Sequence, residues 1–134
     1  MQAQAKRFEY AVEIDRAGRV LAEGRAPLEV EEAWTPEHFL LAALGRCTLA
    51  SLAYHARRAG LTAVASASVS GLVTKRESDG RYAFIELDCA LDAAVEPEPE
   101  DVPALLAKAE RDCFVGASLT VPPRYRWRVN GYSY

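Results

Sequence analysis

Cysteine is scarce in this chain and falls into no pairing pattern. Only Cys47, Cys89 and Cys113 occur in 134 residues. An odd count argues against a secreted disulfide framework. No CxxC pair exists, and neither histidine, His38 or His55, stands at a zinc-like spacing from a cysteine. No metal is therefore expected. An excess of one charge is also missing, since the formal net charge is only -3. A mildly acidic chain has no general attraction for phosphate backbones, so nucleic acid is not an expected partner. The stretch Met1 to Lys6 is polar and lacks the apolar segment of a signal peptide. The longest apolar run, Phe39 to Ala53, is about 15 residues and contains Arg46, short of the roughly 20 needed to cross a bilayer. These absences predict a cytoplasmic protein with no membrane partner. In that compartment a cysteine is by default a free thiol, and a disulfide is more often catalytic than structural.

What remains is an ordinary globular composition, half hydrophobic and about a quarter charged. The length fits one domain over residues 1–134, large enough to bury a core without staples. Neither internal repeats nor a low-complexity segment is present.

Phe8, Tyr10, Val12 and Ile14 alternate with polar or small residues, which predicts a strand over Arg7 to Asp15. Arg16-Ala17-Gly18 is a turn, and Arg19 to Glu23 runs back to complete a hairpin. Pro27 to Glu31 is a candidate third strand. Thr35-Pro36-Glu37 signals a helix start: a capping hydroxyl, a proline in the first turn, and an acid at the positive end of the dipole. That helix should run to about Ala59, with Arg57 and Arg58 in its last turn and Gly60 just beyond. It is apolar almost all round and rich in small residues, the character of an enclosed helix.

Val64 to Lys75 and Tyr82 to Ala93 predict a second hairpin, turning at Ser78-Asp79-Gly80. Cys89 lies in its second strand, on one face with Ile85, Leu87 and Leu91, and reads as a buried inert thiol. After the acidic, proline-bearing connection Glu96 to Pro99, Asp101 caps a second helix expected to end near Gly116. Leu106, Ala109, Glu110 and Cys113 share a stripe on it. Tyr125 to Val129 is a closing strand. Hairpin, long helix, hairpin, shorter helix and strand make an α+β arrangement.

A cysteine is a good nucleophile only as the thiolate, so Cys47 needs something that lowers its pKa. It stands about a dozen residues into its helix, beyond the reach of the helix dipole. Neighbours on its face are Ala43, Leu44, Ala50 and Ser51, none of them a cation. Arg46 points about 100° away around the helix. By these residues alone, Cys47 reads as a small buried hydrophobe, and any activating charge must come from elsewhere. The end of a short helix likewise disfavours a thiolate at Cys113.

Two motifs together carry a resemblance. TPEHFLLAALGRCTLASL resembles the helix signature of the OsmC/Ohr family, the osmotically induced and organic-hydroperoxide-resistance proteins. In that signature a proline-glutamate pair opens a long alanine-rich helix, and a cysteine follows ten residues after the glutamate; here these are Pro36-Glu37 and Cys47. AERDCFVGASL resembles the family's second cysteine motif, with its cysteine at Cys113. The order of elements matches over nearly the whole chain. Phe114 stands where peroxidase members commonly have proline, and Arg46 and His38 are unusual neighbours, which points to a general OsmC-like branch.

The resemblance implies a thiol-dependent peroxidase for organic hydroperoxides. Cys47 would be the peroxidatic thiol and Cys113 the resolving thiol, with a dithiol such as a protein-bound lipoyl group as reductant. It implies no metal or bound cofactor. It also implies an intertwined homodimer whose site holds Glu37 and an arginine. Arg16 is the best match for the arginine, with Arg19 and Arg25 as alternatives. An apolar pocket near Cys47, lined by Phe39, Trp34 and Phe114, would favour alkyl peroxides. The other reading of the same fold is a dimeric small-molecule binder or redox sensor without significant turnover. Spacing adds one constraint of its own. Glu37 and Cys47, ten residues apart on one helix, stand about 15 Å apart along the axis and about 80° apart in facing. If both serve one site, Glu37 must reach it from a partner subunit.

Overall fold

The computed structural model describes residues 4–134. The chain divides between Thr35 and Pro36 into two compact units.

In the N-terminal unit the expected hairpin is present but short. Strands β1 (Glu13–Ile14) and β2 (Val20–Leu21) pair antiparallel across the Arg16-Ala17-Gly18 turn. Asp15 organises that turn: its carboxylate accepts from the backbone N–H of Ala17 and of Arg19 at 3.0 and 2.9 Å. Gly18 takes the left-handed conformation, φ +84°. The expected strand over residues 7–12 is absent, and Phe8, Tyr10 and Val12 alternate on an exposed segment. The candidate third strand reduces to a single bridge, Val20 with Leu28. A strand's period is thus written in this segment, but among the described residues no strand pairs with it.

The second unit opens with helix α1 (Pro36–Arg58), which ends at Gly60 in the left-handed conformation, φ +76°. Strands β3 (Thr62–Lys75) and β4 (Tyr82–Glu96) form a long antiparallel hairpin. The Asp79 carboxylate closes its turn by accepting from Arg76 and from the N–H of Arg81. Helix α2 (Val102–Arg111) begins at Asp101, whose carboxylate accepts from the N–H of Ala104 at 3.0 Å. A separate short helix α3 (Phe114–Ala117) follows. Strand β5 (Arg124–Val129) then lies parallel to β4, and Asn130-Gly131 turns the chain into β6 (Tyr132–Ser133). The sheet order is β3-β4-β5-β6.

One face of this sheet carries the core. Leu87, Cys89, Leu91, Ala93 and Val95 alternate inward from β4, with Trp127 and Val129 from β5, Leu52 from α1, and Leu105, Leu106 and Ala109 from α2. Ile85 departs from this row. The ladder shifts register between Leu72 and Val73, leaving Ile85 unpaired and exposed.

Helix α1 differs from the enclosed helix its composition suggests. Its buried stripe is Leu44, Gly45, Thr48, Ser51, Leu52 and Ala56, while Phe39, Ala42, Ala43, Ala50 and Tyr54 are exposed. By length and composition alone α1 could cross a membrane. Its buried stripe instead packs on the sheet and on α2 and α3. Gly45 allows a close approach there, because a Cβ would fall 3.0 Å from Val69 of β3.

The shorter helix also ends earlier than its spacing suggests. It was expected to continue through Cys113 to Gly116, but α2 stops at Arg111 and Asp112 leaves the helix with φ -97° and ψ 15°. Cys113 is extended and serves as the N-cap of α3. The cause is tertiary: Asp112 Oδ2 lies 2.7 Å from His55 Nε2 on α1, and that contact turns the chain at this point.

Candidate functional site

The break after α2 delivers α3 end-on to the middle of α1. Its first N–H groups point at two sulfurs. The N–H of Val115 donates to Cys47 Sγ at 3.5 Å, and that of Gly116 donates to Cys113 Sγ at 3.4 Å. Cys113 is therefore beside the start of a helix, the reverse of its expected position near the end of one. Both cysteines are free thiols; Cys47 is half-buried and Cys113 is completely buried. The two side chains interact directly.

Burial pushes the Cys47 thiol up, the N–H groups of Val115 and Phe114 pull it down, and the neighbouring Cys113 pushes it up again. The net direction is upward, so the thiol form is favoured. None of the groups acting most strongly on Cys47 is a cation. Its own helix supplies none, as the helix geometry required, and Arg46 is exposed.

Behind Cys113 lies a small polar cluster inside the core. Thr48 Oγ1 is 3.4 Å from Cys113 Sγ and donates to the carbonyl of Leu44 at 2.9 Å. Tyr125 stands next to Cys89 in the parallel ladder and interacts with Thr48 and Cys113. Burial pushes its phenol up to about 12. Cys89 is wholly buried, and its thiol is pushed up to about 11 by burial, with Thr48 acting in the opposite direction. This agrees with an inert thiol at Cys89. Gly116 lets α3 close on the cluster, because a Cβ would stand 2.8 Å from the Tyr125 hydroxyl.

His55 is largely enclosed. It anchors Asp112, the residue preceding Cys113, whose carboxyl is held down at about 2 chiefly by Arg111 and also by His55. Glu37 is exposed on the first turn of α1. Because α1 is continuous from Pro36 to Arg58, Glu37 cannot reach Cys47 of its own chain. Phe39 and Phe114 are 37% and 55% exposed, and Trp34 of the N-terminal unit is 55% exposed.

Within the N-terminal unit the three candidate arginines differ. Arg19 is paired with Asp15 at 2.8 Å, and Arg25 Nη1 donates to the carbonyl of Glu23 at 2.8 Å. Arg16 is exposed at the turn and makes no ion pair among the described residues. Sequence reasoning singled out Cys47, Cys113, Glu37 and Arg16 but missed Thr48 and Tyr125. The available signal for Thr48 was a hydroxyl on the buried side of α1, one turn from Leu44. Tyr125 had only its place in an alternating strand.

The model of the OsmC-like protein family matches residues 29–127, most of the chain. The chain belongs to the OsmC-like family. No curated protein matches it. Solved structures share the fold at low identity. An OsmC-like protein of unknown function from Vibrio cholerae superposes with TM-score 0.70 at 13% identity, covering 84% of each chain. A putative organic hydroperoxide resistance protein from Vibrio cholerae, with captopril bound in one of its active sites, gives 0.61 at 17% identity over 99% of each chain. The organic hydroperoxide resistance protein OhrB of Bacillus subtilis gives 0.54 at 16% identity, over 91% of this chain and 96% of that one. These likenesses establish the α+β OsmC-like fold.

Proposed function

We propose that this OsmC-like protein is a thiol-dependent peroxidase that reduces organic hydroperoxides, with Cys47 peroxidatic and Cys113 resolving. The observation that carries this reading is the juxtaposition of the two thiols at the start of α3, one half-buried and one sealed from solvent. In the first step the Cys47 thiolate attacks the hydroperoxide. An S–O bond forms, the O–O bond breaks, and the alcohol leaves. Cys47 is then a sulfenic acid. In the second step Cys113 attacks that sulfur, a disulfide forms, and water leaves. An external dithiol, of which a protein-bound lipoyl group is one kind, restores both thiols by exchange.

The upward push on Cys47 sets a requirement, since a cation must offset it. A guanidinium does this and also donates to the peroxide oxygens. Arg16 is the candidate because it is the arginine of its turn that makes no ion pair among the described residues. Glu37 joins the site from a second subunit, since its own helix holds it too far away. The working form is therefore a homodimer, with the exposed apolar face of α1 suited to an interface. We place it in the cytoplasm. The test is peroxide consumption with a dithiol reductant. Cys47→Ser should abolish it, and Cys113→Ser should slow turnover and allow over-oxidation of Cys47. Equal activity in the Cys47 variant ends the proposal.

The raised Cys47 thiol favours a second reading, a dimeric small-molecule binder or redox sensor without significant turnover. A co-purifying apolar ligand, together with a Cys47 thiol titrating at or above the ordinary value of about 8.5, would mark it.

A further inference from the structure

We propose that Thr48 is a positioning residue for the resolving step, holding the Cys113 thiol by accepting a hydrogen bond from its S–H; this rests on the peroxidase reading. A threonine hydroxyl has one hydrogen to give. Thr48 gives it to the Leu44 carbonyl, which can only accept, at 2.9 Å. The contact between Thr48 Oγ1 and Cys113 Sγ, 3.4 Å, must then be donated by the thiol. From the other side the N–H of Gly116 donates to the same sulfur. The Thr48 oxygen and the Gly116 N–H thus orient the Cys113 sulfur, beside Tyr125 and Cys47, at a position with no exposure to water.

The second step requires the Cys113 sulfur to be aimed at Cys47 and to give up its proton as it attacks. Cys113 Sγ bonds to Cys47 Sγ, the S–O bond of the sulfenic acid breaks, and the Cys113 proton leaves with the hydroxyl oxygen as water. No further oxidant or reductant is needed. Thr48 keeps the proton placed and the sulfur oriented until Cys47 is oxidised. It touches neither peroxide nor the reacting oxygen, so its effect should fall on resolution and not on peroxide attack.

The test compares Thr48→Val, which keeps the shape and removes the hydroxyl, with Thr48→Ser, which keeps the hydroxyl. Each dimeric protein receives one equivalent of cumene hydroperoxide. Rapid quench and mass spectrometry follow Cys47 sulfenic acid and the Cys47–Cys113 disulfide. The ratio of disulfide rate to sulfenic-acid rate should fall about tenfold in Thr48→Val, the scale of one lost hydrogen bond, and recover in Thr48→Ser. A Thr48→Val ratio within about twofold of the unmodified protein overturns the proposal. A second measurement needs no Thr48 variant. The infrared S–H band of Cys113, obtained by difference against Cys113→Ala, should lie below that of a free thiol, and a band at the free-thiol position also overturns it. If the unmodified protein consumes no hydroperoxide, the peroxidase reading fails instead, and the infrared result still reports on the hydrogen bond.

Discussion

Replacing Gly116 by alanine tests the packing that brings α3 onto the two thiols. The added Cβ would stand 2.8 Å from the Tyr125 hydroxyl, 3.4 Å from Cys113 Sγ and 3.6 Å from Leu44 Cδ1. Only the first contact is shorter than real Cβ atoms tolerate, so Tyr125 or α3 must move. Overpacking of this kind costs about 1–3 kcal/mol. Alanine recovers up to about 1 kcal/mol over glycine inside a helix. Because α3 is only four residues long, the smaller share of that gain applies. The expected net loss is about 1 kcal/mol, or a fall of about 3–5 °C in Tm for a domain of this size. The Cys113 side chain should also become accessible to a thiol reagent, since α3 is what seals it. Calorimetry and thiol titration would measure both effects. The decisive arm is a double-mutant cycle with Tyr125→Phe, which removes the very oxygen that the Cβ meets. Gly116→Ala should be less damaging in the Tyr125→Phe background, giving a favourable coupling of about 0.5–1 kcal/mol. An unchanged Tm in Gly116→Ala, or no coupling to Tyr125, would refute the reasoning.

Cys89 should stay silent toward thiol reagents at neutral pH in the folded protein and react only in denaturant, because burial holds its thiol up at about 11 and exposes none of it. Cys47 should be the first thiol to react. The Asp112 carboxyl is held down from 3.8 to about 2 by Arg111 and His55. A depressed carboxylate contributes stability that is full above its unfolded value and lost as pH falls through the folded one. Asp112→Asn should therefore flatten the acid limb of the urea midpoint between about pH 4 and pH 2; an unchanged limb would contradict the depressed Asp112 carboxyl. Arg16→Ala should reduce reactivity of Cys47 toward an alkyl hydroperoxide at pH 7 by about tenfold or more, whereas Arg25→Ala should leave it within about twofold, as stopped-flow measurement would show.

The elements with local signals were legible in the amino-acid sequence. Pro36-Glu37 opens α1, Gly60 ends it, Asp101 caps α2, and the Asp79-Gly80 turn joins β3 to β4, each by chemistry within a few residues. What escaped was decided by distant partners. Cys113 fits the stripe of Leu106, Ala109 and Glu110 at helical spacing, and no glycine or proline marks a stop before it. The helix ends because Asp112 meets His55, more than fifty residues away. The parallel pairing of β5 with β4 leaves no local mark either. The strand pattern of residues 7–12 is plain, but a pattern does not supply the neighbour a strand needs. At the site, the resemblance pointed to both cysteines. Thr48 was passed over because a hydroxyl bonded back to its own helix looks like an ordinary core residue until the sulfur beside it is seen.

The central claim is that Cys47 and Cys113 act as one redox pair. Mass spectrometry after one equivalent of an organic hydroperoxide tests it most directly. The account predicts one Cys47–Cys113 disulfide per chain, with Cys89 still a thiol. Cys47 oxidised to sulfinic acid beside an untouched Cys113, or no oxidation of Cys47 at all, would contradict it.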